Sequence, residues 1–167
     1  ITVFQKNKTM IKLFVSDVDG VLTDGSMYYS NNGDEFKRFS TYDGVAFEIL
    51  RNKGIKTAII TSENNKITSY RAAKMKIDFV FQDCQGLGKL SAVKKICLEN
   101  KIDFKSVSYI GDDINCFELL EKVNYAACPS NSTKKILEIP KILKLKNQGG
   151  SGAIREYVDF LESNNLI

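Results

Sequence analysis

Short apolar runs and helical patterns alternate along this chain almost from end to end. Ile11-Lys12-Leu13-Phe14-Val15 stops at acidic residues and a glycine, as a buried parallel strand does. Similar runs at Thr57–Ile60, Phe79–Phe81, Val107–Ile110 and Tyr125–Ala127 predict further strands. Between and after them, helical periodicity predicts helices over 43–53, 65–75, 88–100, 113–122, 131–138 and 152–162. This alternation predicts βαβ units: an α/β chain with a doubly wound parallel sheet and helices on both faces.

One segment breaks the alternation. Residues 26–30 and 35–39 carry aromatic side chains alternating with polar ones, and Asn31-Asn32-Gly33-Asp34 between them is turn chemistry. A protruding β-hairpin directly after the first strand is expected. A two-stranded ribbon is marginal alone, so it either folds onto its own domain or pairs with another subunit.

Composition narrows the chemistry more than the fold. The apolar fraction is 43% and the charged fraction 26%, ordinary for a soluble globular chain. The net charge of +4 comes from scattered lysines, which read as a solvated surface; a nucleic-acid partner would call for a clustered stripe. Cys84, Cys97, Cys116 and Cys128 form no CxxC pair and the chain has no histidine. Zinc sites built from Cys/His pairs are therefore not expected, and Ser-His or Cys-His nucleophiles are excluded, leaving carboxylates and lysines. Free thiols suggest a reducing, cytoplasmic setting. No apolar stretch reaches the ~18 residues of a membrane span, so no membrane partner is expected. Residues 1–9 precede Met10 and read as an extension or as the tail of a longer polypeptide, with 10–167 as a single domain.

In an open α/β sheet, ligands bind beyond the carboxyl ends of the strands. Here those ends carry Asp17 and Asp19, Thr61 and Ser62, then Asp112 and Asp113. Three separate strands thus deliver polar residues to one edge.

The run Ser16-Asp17-Val18-Asp19-Gly20 after a hydrophobic strand resembles the first motif of the haloacid dehalogenase superfamily of phosphatases. Thr61 after Ala58-Ile59-Ile60, Lys89 at a helix start and Gly111-Asp112-Asp113 after Tyr109-Ile110 follow in register. The resemblance implies a Rossmann-like fold and an Mg2+-dependent phosphomonoesterase. Asp17 would be the nucleophile and Asp19 the proton donor to the leaving oxygen, then the base for water. Asp17, the Asp19 carbonyl and Asp112 would hold the Mg2+; Thr61, Ser62 and Lys89 would bind the phosphoryl oxygens. Asp113 is either support for the metal or a helix N-cap. Cys116 departs from the pattern, which often has aspartate there, and puts a contact behind the metal ligands in doubt.

The intervals between these motifs leave no room for a cap domain. Asp17–Gly25, the hairpin ending Asn32–Glu35, the stretch Phe39–Gly44 and the tail Gly149–Glu156 are similar to the capless sugar-acid phosphatases. Those act on 3-deoxy-octulosonate 8-phosphate (KDO 8-phosphate) or on nonulosonate 9-phosphates of the sialic-acid type. The likeness implies a phosphorylated sugar acid as substrate and a homotetramer in which the 26–39 hairpin completes a neighbour's site. Ser62-Glu63, where octulosonate enzymes place glycine and arginine, together with Arg71 and Lys74, is similar to the nonulosonate enzymes; surface cations are the plain alternative. A second class stays open, a catalytically idle phosphatase-like domain that oligomerises a sialic-acid cytidylyltransferase.

Overall fold

The computed structural model describes residues 9–86 and 88–167. The expected extension at 1–9 lies outside this range except for Thr9. Strand β1 (Leu13–Ser16) is central and fully buried, and the hairpin strands β2 (Tyr28–Tyr29) and β3 (Glu35–Phe36) follow it. Helix α1 (Thr41–Asn52), β4 (Lys56–Ile60), α2 (Lys66–Met75), β5 (Phe79–Phe81) and α3 (Gly88–Asn100) make the first half. Strand β6 (Val107–Ile110), α4 (Phe117–Lys122), β7 (Tyr125–Cys128), α5 (Lys134–Leu137), β8 (Leu143–Lys144) and α6 (Ala153–Ser163) complete it.

The main sheet runs β5-β4-β1-β6-β7-β8 with every pairing parallel. Because side chains alternate across a strand, β1 feeds two cores. Phe14 packs with α1 and α6, meeting Phe47 edge-on at 5.9 Å and Tyr157 at 5.7 Å between ring centroids. Leu13 and Val15 join the other core, with Val93, Ile96 and Leu119 from α3 and α4. The predicted doubly wound sheet is therefore the observed one, and among the described residues no cap interrupts it. No helix among those residues is long and apolar enough to cross a membrane.

Local differences have local causes. The hairpin ladder is only two residues per strand because Lys37 and Arg38 leave it to pair with Asp19 and Asp24. The predicted helix 131–138 shrinks to Lys134–Leu137, since Ser132 turns back onto the Pro129 carbonyl through both its N–H and its hydroxyl. Strand β8 was not predicted: two residues are too short for a period to register.

Candidate active site

The chain winds outward from β1 in opposite directions, to β4 and β5 on one side and to β6, β7 and β8 on the other. The carboxyl end of β1 is thus the switch point, where a crevice opens. Ser16 is in register with Ile59 and Ile110. Asp17, Thr61 and Asp112 accordingly emerge at one edge, as the strand ends implied.

Asp17 is 2% exposed, and its two oxygens have different partners. Oδ1 accepts the Val18 N–H at 2.7 Å. Oδ2 takes the ammonium of Lys89 and the thiol of Cys116, the latter at 2.8 Å. Lys89 is 1% exposed at the start of α3. Burial alone would lower its pKa, but the charge of Asp17 and the nearby Cys116 keep it raised, so the ammonium persists in the interior.

Asp112 joins this pair. One ligand atom each from Asp17, Asp112 and Cys116 lie within 4.8 Å of one another. The approach depends on Gly20, where a Cβ would sit 1.9 Å from Asp112 Oδ2 and where φ is +80°. Burial first, then the charge of Asp17, pushes the Asp112 carboxyl up to about 7. Two carboxylates brought so close need a positive charge between them, and a divalent cation fits that need. Residues that follow two different strands, β1 and β6, thus meet within the reach of a single ion.

The remaining expected residues divide between this cluster and its surroundings. Thr61 is buried, and its hydroxyl accepts the Glu63 N–H at 3.2 Å. Ser62 donates to the Cys84 carbonyl at 3.2 Å and accepts from Asn115 at 3.1 Å. Asp113 is exposed and caps the 3-10 turn Ile114–Cys116 by accepting the Ile114 N–H at 2.7 Å, the N-cap alternative. Glu63 and Lys74 are exposed. Arg71 is engaged within the fold: it donates to the Ser40 carbonyl at 2.9 Å and lies over the Phe39 ring at 5.4 Å.

Lys37 has no counterpart among the motifs. Its ammonium donates to Asp19 Oδ1 at 2.6 Å and lies 3.4 Å from Glu35, with the side chain fully buried. Its signal in the sequence was only a lysine on the hairpin's return strand, which periodicity cannot aim. The loop from Val18 to Gly25 is held by Gly149 and Gly150, where added Cβ atoms would lie 1.9 Å from the Gly20 carbonyl oxygen and 2.6 Å from the Asp24 nitrogen.

Comparison with known proteins matches residues 26–154 to the haloacid dehalogenase-like hydrolase description. The chain belongs to that family. Among relatives of the haloacid dehalogenase-like hydrolases, the 3-deoxy-D-manno-octulosonate 8-phosphate phosphatase KdsC of Escherichia coli (strain K12) is 34% identical over 152 residues, covering 90% of this chain and 79% of the relative. The fold matches the Moraxella catarrhalis octulosonate 8-phosphate phosphatase in complex with magnesium ion, phosphate ion and KDO, with TM-score 0.88 and 31% identity over 98% of this chain and 93% of that one. The cobalt-bound form of the Haemophilus influenzae phosphatase matches with TM-score 0.85 and 28% identity over 93% and 90% of the two chains. With these capless relatives it stands as a phosphoric monoester hydrolase of the family.

Proposed function

We propose that this chain is a magnesium-dependent phosphatase that hydrolyses a 3-deoxy sugar-acid phosphate through an aspartyl-phosphate on Asp17. The observation that carries the reading is that buried Asp17 meets both the half-buried Asp112 carboxylate and the buried Lys89 ammonium. A phosphate monoester resists attack because its anionic oxygens repel the nucleophile, so charge neutralisation and alignment are the main needs. A magnesium ion held by Asp17, Asp112 and the Asp19 carbonyl would supply the charge neutralisation at the phosphoryl group.

The protein's own groups do the rest. Asp17 attacks phosphorus; the bond to the sugar oxygen breaks, and Asp19 delivers a proton to that oxygen. Lys89, Thr61 and Ser62 hold the phosphoryl oxygens in line. Asp19 then removes a proton from water as it attacks the aspartyl-phosphate, releasing inorganic phosphate and restoring Asp17. Lys37 orients Asp19 for both transfers.

The sugar acid is octulosonate 8-phosphate or nonulosonate 9-phosphate. The names of relatives such as KdsC favour the former. Ser62-Glu63, with Lys74 exposed on α2, favours the latter, because the Glu63 carboxylate can accept hydrogen bonds from sugar hydroxyls; Arg71, bound to the Ser40 carbonyl, takes no part in this argument. Phosphate release from both sugars, a generic aryl phosphate and a phosphorylated DNA end, with and without magnesium, tests the reading. We expect kcat/KM to favour a sugar acid, and Asp17→Asn to lose about four orders of magnitude or more. Equal, feeble turnover of all substrates, unchanged in Asp17→Asn, would leave an idle oligomerisation domain as the better account.

The hairpin extends the proposal to a homotetramer. Tyr28, Tyr29 and Phe36 stand 46%, 63% and 60% exposed on a ribbon that, among the described residues, has no third strand. We expect sedimentation to give a tetramer, and serine at these three positions to dissociate it. Mixing that variant with Asp17→Asn should restore activity, because an Asp17→Asn subunit can lend its intact hairpin to a neighbour's intact site; a monomer in the wild type would end the assembly reading.

A further inference from the structure

Cys116 occupies the position where the resemblance calls for a carboxylate, and its surroundings are built rather than incidental. It is fully buried, donates to Asp17 Oδ2 at 2.8 Å and accepts from Lys89 at 3.4 Å. Its sulfur is one corner of the triangle whose other corners are carboxylate oxygens of Asp17 and Asp112. Tyr109, 0% exposed, sets its hydroxyl beside the same thiol with no hydrogen bond of ordinary geometry. Two carboxylate oxygens and a sulfur converging within 4.8 Å make a donor set that a divalent cation completes.

The donor set decides what kind of ion. Magnesium demands oxygen ligands and gains little from sulfur, whereas cobalt, zinc and cadmium accept thiolate readily. We infer that Asp17, Asp112 and Cys116 form a mixed sulfur–oxygen centre that takes thiophilic divalent cations through the Cys116 sulfur. The inference rests on the metal-centre reading above and adds to it a selectivity that an aspartate at this position would lack. When the metal–sulfur bond forms, the thiol proton passes to solvent.

Cobalt titration of the purified protein tests this without recourse to turnover. The wild type should develop a sulfur-to-cobalt charge-transfer band in the near ultraviolet. That band should vanish in Cys116→Ser and persist in Cys128→Ser, which replaces another buried cysteine. Zinc affinity, measured by competition with a chromophoric chelator, should fall roughly ten- to a hundredfold in Cys116→Ser. Circular dichroism melts of each variant verify that it is folded, and Cys116→Asp provides a second replacement if serine fails that check. A band that survives Cys116 replacement, or cobalt binding without any sulfur band, overturns the inference while leaving the metal centre standing. Binding of cobalt and magnesium unaltered by Asp112→Asn would overturn the centre itself, and the inference with it.

Discussion

Of the two oxygens of Asp19, Oδ1 takes the Lys37 ammonium at 2.6 Å, while Oδ2 is buried with no hydrogen bond. The second oxygen therefore has capacity for the proton that a leaving alkoxide needs. This sets a prediction by leaving group. In Asp19→Asn, turnover of the sugar phosphate should fall roughly 10²–10⁴-fold. Release of 4-nitrophenolate should fall far less in the first turnover, because a phenolate departs without protonation. Pre-steady-state bursts on the two substrates measure the difference, and equal losses would remove Asp19 from the proton-donor role. The sequence located Asp17, Asp19 and Asp112 by their strand ends. It could not show that Lys37 faces Asp19, since that contact spans a hairpin whose path depends on packing.

At the scale of elements, α6 begins without a cap of its own. Its N-cap residue is Gly152, at φ +90°, which has no side chain to accept a first-turn N–H. Asp43 of α1 does this from across the interface, accepting the Arg155 N–H at 3.0 Å while 0% exposed. Burial raises its carboxyl above the usual range, against the pull of the Arg155, Gly152 and Ile154 N–H groups. Asp43→Ala should cost about 1–2 kcal/mol, as loss of an N-cap does, and lower Tm by several degrees. Asp43→Asn, which keeps an acceptor and removes a buried charge, should lose less. A wild-type Tm in Asp43→Ala would show that the contact contributes nothing. The helices themselves were legible from periodicity, but an aspartate in the first turn of α1 reads as a helix-start residue, so its service to α6 was hidden.

Across the whole molecule, metal binding and stability are linked by protons. Burial and the charge of Asp17 hold the folded Asp112 carboxyl at about 7, above the 3.8 of a free aspartate side chain. The metal-free fold therefore holds a proton that the unfolded chain releases, and ∂ΔG/∂pH is negative between these values. This group's share of stability is full below the unfolded pKa and is lost as pH rises toward 7. A divalent cation held by the proposed centre would displace that proton and relieve the repulsion between Asp17 and Asp112. The magnesium-induced rise in Tm should accordingly grow from about pH 5 to about pH 8. Thermal melts across that range measure it, and a rise independent of pH would mean that Asp112 is ionised throughout.

The alternation of strand and helix, the two-sided core fed by β1 and the identity of the acidic strand ends were all written in the order of residues. Periods of two and of 3.6 residues report which side chains are buried, and burial dictates the layers. Three things needed the folded chain: the reach of Lys37 to Asp19, the capping of α6 by Asp43, and the place of Cys116 between Asp17 and Lys89. Each joins residues far apart along the chain, and a contact of that kind has no period. It exists because packing brings distant segments together: strand ends at one edge for Cys116 and Asp17, the hairpin's return over the β1 loop for Lys37, and α1 against α6 for Asp43.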